Sequence, residues 1–170
     1  MKLVGIGDLF IPREYIESGF GSLEGLGVKI QTIEWKLRDF DELQQINLQV
    51  EKRGSEAYEP PEYIFEACAD ADIIITQFCT ITKKLIDNCK SLKAIGVLRA
   101  GIENVNLAYA DEKNIMVFNT PGRNADAVAD FTIGLLLAEC RNIAKGHIGL
   151  KRGQWIRDYP NSHCIPDLPG

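Results

Sequence analysis

Five short apolar runs, at residues 3–6, 28–33, 72–76, 94–98 and 115–118, recur along this 170-residue chain. Between them lie segments with the apolar spacing of helices, at 12–18, 41–52, 61–69, 83–88 and 105–113. The run Asp72-Ile73-Ile74-Ile75-Thr76 is the most restrictive of these features. Successive side chains of a strand point to opposite faces, so a run of consecutive isoleucines needs cover on both. Strands covered on both faces and separated by helices with short links belong to a parallel sheet joined by right-handed crossovers. Five such strands predict a flavodoxin-like, doubly wound α/β sheet and not a barrel.

The composition supplies the material for such a core, with 45% hydrophobic and 25% charged residues. The net charge is −5, and no cluster of Lys or Arg forms a stripe, so neither nucleic acid nor an anionic membrane is an expected partner. The apolar part of Met1-Lys2-Leu3-Val4-Gly5-Ile6 is too short for a signal peptide. The densest apolar run, at 133–138, is far below the ~18 residues that span a bilayer. A cytoplasmic location is therefore expected. The five cysteines are an odd number without C-x-x-C spacing and are expected to be reduced and mostly buried. His147 and His163, the only histidines, have no spaced set of partner ligands, so no metal site is expected.

A parallel α/β chain invites a search for phosphate-binding glycines. Gly19, Gly21, Gly25 and Gly27 are spaced wrongly by one residue and follow a helical segment, so they predict a turn. Gly5-Ile6-Gly7-Asp8 ends the first strand, but Phe10 stands where a third glycine belongs and Asp8 would repel a pyrophosphate. No nucleotide-binding loop is expected. A phosphoacceptor domain of the receiver type, which shares the fold class, needs an acidic pair after the first strand and an Asp ending the third. Here Asp8 stands alone and the third strand ends in Thr76-Gln77.

After Phe118 the pattern changes. Asn119-Thr120-Pro121-Gly122 predicts a turn, with Asn124 as the N-cap of a helix. Asp126 and Asp130 sit in its first turns, where a carboxylate complements the helix dipole. This helix is expected to run to about Leu150 and is apolar on almost every side. The following "KRGQWIRDYPNSHCIPDLPG" holds Gly153, Pro160, Pro166, Pro169 and Gly170 and predicts an extended arm.

Residues 92–143, "LKAIGVLRAGIENVNLAYADEKNIMVFNTPGRNADAVADFTIGLLLAECRNI", together with the tail "GQWIRDYPNSHCIPDLPG", resemble the D-isomer-specific 2-hydroxyacid dehydrogenases. Arg99-Ala100-Gly101, Asn104-Val105-Asn106, Asn119-Thr120-Pro121, Asn124 and Val128-Ala129-Asp130 match that family's motifs in order. The resemblance implies that residues 1–119 form a substrate-binding domain, and residues 120–170 an interdomain helix and dimerisation arm. In the intact enzyme, hydride would pass between a small 2-hydroxy or 2-keto acid and NAD. It also implies that the G-x-G-x-x-G loop and the family's Arg, Glu and His lie downstream of Gly170. No catalytic residue is thus expected in this chain, which alone should be inactive and bind NAD weakly. Arg99 and His147 do not match those catalytic positions. A homodimer through the helix from Asn124 to Leu150 and the arm is expected. The alternative is a free-standing flavodoxin-like binding module with no chemistry.

Ligands of open α/β sheets bind beyond the carboxyl ends of the strands. That rule selects Thr76 and Gln77 after the third strand, and Arg99, Ala100, Gly101 and Ile102 after the fourth, as candidate substrate contacts. The 100–102 loop is either an ordinary glycine turn or a row of amides that holds a carboxylate, as the family uses its equivalent loop. Asn124 matches a family position beside the cofactor. The stretch "GIENVN" is two residues shorter than the commonest family loop, so glycerate, phosphoglycerate and lactate-like acids all remain open.

Overall fold

The structure, a computed structural model, describes residues 1–163. Cys164 and the rest of the expected arm lie outside the described residues. In chain order the elements are β1 (Lys2–Gly7), α1 (Arg13–Phe20), β2 (Lys29–Glu34), α2 (Phe40–Arg53), α3 (Glu62–Cys68), β3 (Ile73–Thr76), α4 (Lys83–Asn88), β4 (Ala94–Val97), α5 (Leu107–Glu112), β5 (Met116–Asn119), α6 (Ala125–Cys140) and α7 (Ile143–Lys151). All five strands pair in parallel, in the order β2-β1-β3-β4-β5. This is the flavodoxin-like sheet that the alternation predicts. The chain divides into two compact units, Met1–Arg123 and the part from Asn124 onward.

In the first unit, alternate residues of each strand serve different cores. Val4 and Ile6 of β1, Ile74 of β3, and Ile95 and Val97 of β4 pack with Leu43, Ile46 and Val50 of α2 and with Ile64 and Phe65 of α3. Leu85 and Ile86 of α4 and Ala110 of α5 complete that layer. Leu3 and Ile75 point the other way, to Ile16 of α1 and Val28. The consecutive isoleucines of β3 are thus divided between two faces, as the period of a strand requires. On the α1 side, Ile73, Ile75, Ala94, Gly96, Leu98 and Phe118 line an open apolar depression of about 310 Å³.

Side chains fix where several helices begin. Asp39 accepts from the Glu42 amide at 2.9 Å to start α2, and Thr82 accepts from Leu85 at 3.2 Å to start α4. The glycine-rich stretch after α1 is a 3₁₀ turn, Gly21–Leu26, closed by Gly27 at φ 79°. It connects α1 to β2, as expected of a turn.

The second unit departs from the sequence pattern in three places. The helix expected to run unbroken from Asn124 to about Leu150 is two helices, α6 and α7. Asn142 separates them in the left-handed region (φ 54°, ψ 30°), a conformation that asparagine tolerates better than most residues. Its buried side chain donates to Asn161 Oδ1 at 2.7 Å. Asn124 makes no side-chain capping bond; its ψ of 18° is far from the extended conformation of Asp39 and Thr82, which aims a side chain at the first amides. The described part of the arm folds back on α7 and is not extended. Gln154 N donates to Gly149 O at 2.9 Å, and Ile156 lies against the bare face of Gly149. Helix α6 itself has no buried residue.

Candidate functional site

The strand order reverses between β1 and β3, which places a crevice beyond their carboxyl ends. Segments 8–11, 77–82 and 98–105 lie at that edge of the sheet. The last two are laced together. Ile81 N donates to Asn104 O at 2.7 Å, Asn106 N donates to Ile81 O at 3.0 Å, and Ile81 and Val105 form a parallel bridge. Asn104 is fully buried, and its Nδ2 donates to Cys79 O at 3.0 Å and Gln77 O at 3.4 Å. These bonds make a fixed frame of what would otherwise be two loose loops.

The predicted contact residues take different positions on this frame. Thr76 is fully buried and its hydroxyl accepts from the Cys79 amide at 3.1 Å, so it shapes the loop from beneath. Gln77 is buried too, and its Oε1 has no hydrogen-bond partner among the described residues. Arg99 is tied into its own loop: Nε donates to Gly101 O at 3.2 Å, Nη1 to Asn47 Oδ1 at 2.8 Å and Nη2 to Glu103 Oε2 at 2.5 Å. Its guanidinium also lies 5.0 Å from the centre of the Phe78 ring.

The backbone between Arg99 and Glu103 is used unevenly. Ala100 O accepts from Asn119 Nδ2 at 2.6 Å, Gly101 O from Arg99, and Ile102 O from Val105 N at 3.0 Å. The amides of Ala100, Gly101 and Ile102 donate to nothing among the described residues. Bonded carbonyls, with neighbouring amides left over, make a row of donors suited to an anion.

In the sequence Asp8 reads as an obstacle to phosphate and as a lone acid after the first strand. It is 1% exposed, and its Oδ1 accepts from the amides of Phe10 at 2.9 Å and Ile11 at 3.0 Å, while Oδ2 has no hydrogen-bond partner among the described residues. Burial pushes this carboxyl above the ordinary aspartate range, against the opposing pull of the Ile11, Phe10 and Phe78 amides. Cys79 and Cys89 are poor nucleophiles: burial pushes the Cys79 thiol well above its usual value and Cys89 up to about 12. His147 is exposed on α7, and Asn124 is exposed before α6. No His, Cys, Asp and Glu group suited to a metal occurs among the described residues.

The glycines of β1 do not form a cradle for a dinucleotide. The bare side of Gly7 is filled by Arg13 Cα and the Glu34 carboxylate, each 2.7 Å from where a Cβ would stand. The first amide of α1, on Arg13, already donates to Glu34 Oε2 at 3.0 Å. Among the described residues, therefore, the strand-to-helix turn that could take a pyrophosphate is occupied by protein groups.

The sequence profile of the D-isomer specific 2-hydroxyacid dehydrogenase catalytic domain matches residues 35–156. The chain belongs to this family. It is 38% identical over 97 residues to a D-3-phosphoglycerate dehydrogenase of Methanocaldococcus jannaschii, covering 56% of this chain and 18% of that protein. It is also 38% identical over 87 residues to a hydroxypyruvate reductase of Thermotoga maritima, covering 51% and 28%. Among solved structures, the NAD⁺-bound 3-phosphoglycerate dehydrogenase of Entamoeba histolytica aligns with a TM-score of 0.58 at 25% identity, over 83% of this chain and 39% of that one. The NAD-dependent formate dehydrogenase of Staphylococcus aureus shares the fold, with a TM-score of 0.60 at 23% identity, over 92% and 43%. The chain thus spans less than half the length of these relatives. Membership does not favour the free-standing module.

Within the family segment, the motif residues turn out to hold the 99–103 loop in place. Asn104 and Val105 lace it to the β3 loop. Asn106 starts α5 by accepting from Tyr109 N at 3.1 Å. Asn119 takes the Ala100 carbonyl, and Thr120 N donates to Arg99 O at 3.1 Å. Much of the motif string therefore shapes one short backbone turn.

Proposed function

We propose that this chain carries the substrate-binding half of an NAD-dependent D-2-hydroxyacid dehydrogenase, with residues 1–119 as the substrate domain and 120–170 as the interdomain helix and arm. The observation that carries this reading is the row of amides at Ala100, Gly101 and Ile102 with no partner among the described residues. They would hold the carboxylate of a small 2-hydroxy or 2-keto acid, the substrate class for which the family and its phosphoglycerate and hydroxypyruvate relatives are named. Arg99 fixes that turn, and Thr76 and Asn104 set its neighbour.

In the whole enzyme the cofactor would be NAD, as in the solved phosphoglycerate dehydrogenase relative. The described residues build no cradle for it. Asn124 is its proposed neighbour on this side. The chemistry left to the substrate half is to bind and orient the acid, while proton transfer falls to residues outside this chain. The buried, unactivated thiols support a cytoplasmic setting, and no described helix is long and apolar enough to cross a membrane. The exposed apolar residues of α6 and α7 support a homodimer.

The test is kinetic. Gly101→Val in the whole enzyme should raise KM for a 2-keto acid at least about tenfold, a loss of ~1.4 kcal/mol of binding, while KM for NADH is unchanged. An unchanged KM for the keto acid would contradict the assignment.

A further inference from the structure

The amides of Ala100 to Ile102 have a neighbour of the wrong charge. A Cβ at Gly101 would run into the Glu103 carboxylate, with Oε1 at 3.0 Å, and would stand 2.8 Å from Arg99 Nη2. A carboxylate of the protein therefore lies over the same glycine that the acid's carboxylate would approach. The two members of the Arg99–Glu103 pair are held very unequally. Arg99 is 12% exposed and is fixed from other sides by Asn47, the Gly101 carbonyl and the Phe78 ring. Glu103 is 44% exposed, and Arg99 is its only side-chain partner among the described residues. Of the two, only Glu103 can leave without breaking the frame, because a half-exposed ion pair contributes little.

We propose that Glu103 is a built-in competitor for the substrate carboxylate and determines which acids the site accepts. It occupies the face of Gly101 and the Nη2 of Arg99 when no acid is present. An entering 2-hydroxy or 2-keto acid displaces it, and the acid's carboxylate takes over Arg99 Nη2 and the free amides. The displaced Glu103 stays tethered beside the loop, so a substrate with a second anionic group meets a like charge there. The site thus favours small monoanionic acids over phosphorylated or dicarboxylic ones. This deepens the proposed function and rests on its assignment of the 100–102 amides.

The experiment follows amide resonances of the 170-residue chain during titration at constant ionic strength, with oxamate as the monoanionic probe and 3-phosphoglycerate as the multiply charged one. Glu103→Gln should bind oxamate about tenfold more tightly than the wild type, the scale of one partly screened charge contact. It should bind 3-phosphoglycerate tighter by a larger factor, roughly a hundredfold, because more charge is relieved. Shifts should centre on Ala100, Gly101 and Ile102 in both proteins. Glu103→Ala, which also clears the position sterically, should bind at least as tightly as Glu103→Gln, and unchanged spectral dispersion would show that both variants fold. Equal affinities with shifts at these amides would overturn the competitor and leave the carboxylate site standing. No shift at these amides, in any of the proteins with either probe, would overturn both.

Discussion

Helices α3 and α6 are both rich in apolar residues, yet the chain treats them in opposite ways. Helix α3 hides Ile64 completely and leaves Phe65 4% exposed against the sheet. Helix α6, more than twice as long, hides nothing and leaves Phe131 69% and Ile133 and Leu135 each 55% exposed. The difference lies in the pattern. The buried residues of α3 form one stripe, which a single sheet face can cover, whereas Val128, Phe131, Ile133, Leu135 and Leu136 point in several directions around α6. Each such side chain left in water forgoes roughly 1.5–3 kcal/mol of burial. Three of them amount to about 5–9 kcal/mol by the same rule, comparable with the ~5–15 kcal/mol stability of a whole domain. The first unit is folded around itself, while the apolar side chains of α6 stand exposed, as the proposed homodimer would require.

The contrast can be broken most forcefully by truncating one residue of each kind. Ile74→Ala, at a fully buried position of β3, should destabilise the first unit by about 2–5 kcal/mol in urea unfolding. Leu135→Ala should leave that transition within about 0.5 kcal/mol of the wild type, because the first unit does not depend on it. Comparable losses from the two substitutions would mean that the apolar face of α6 is already covered within one chain.

A smaller effect sharpens the account of the first unit from the side of its buried polar groups. The folded-state pKa of Asp8 is raised, chiefly by burial. The folded protein therefore binds this proton more readily than the unfolded one. The contribution of Asp8 to stability is fully present below its unfolded pKa and is lost as pH rises through the raised folded pKa. Asp8→Asn keeps an acceptor for the Phe10 and Ile11 amides and cannot ionise. Its melting temperature relative to wild type should rise as pH increases from about 3.8 upward. A difference independent of pH would mean that the carboxyl is not desolvated.

The first unit was largely legible in the sequence, and the reason is local. Continuous β-branched runs such as Ile73-Ile74-Ile75 have few alternatives to a doubly covered strand, and all five strands form within two residues of their expected limits. The break at Asn142 was not legible, because apolar residues such as Ile143 and Ile148 continue the pattern across it. It depends on a left-handed backbone and on a bond to Asn161, 19 residues further on. Asn124 has the right side chain for a cap but the wrong ψ, which composition does not encode. At the candidate site, Arg99-Ala100-Gly101 drew attention to the turn. That its carbonyls are bonded and its amides spare emerges only once Asn119, Val105 and Arg99 have closed on it. The bond of Glu103 to Arg99 over the face of Gly101 emerges only in the folded loop.

The most direct test of the contrast is sedimentation velocity of the chain across a wide concentration range, beside the double variant Phe131→Ser with Leu135→Ser. If the first unit is complete and α6 is built for a partner, the wild type should sediment as a dimer or larger assembly. The double variant should shift to monomer with the fold of the first unit intact. A wild type that remains a monodisperse monomer at the highest concentration, with α6 ordered and exposed, would contradict the account.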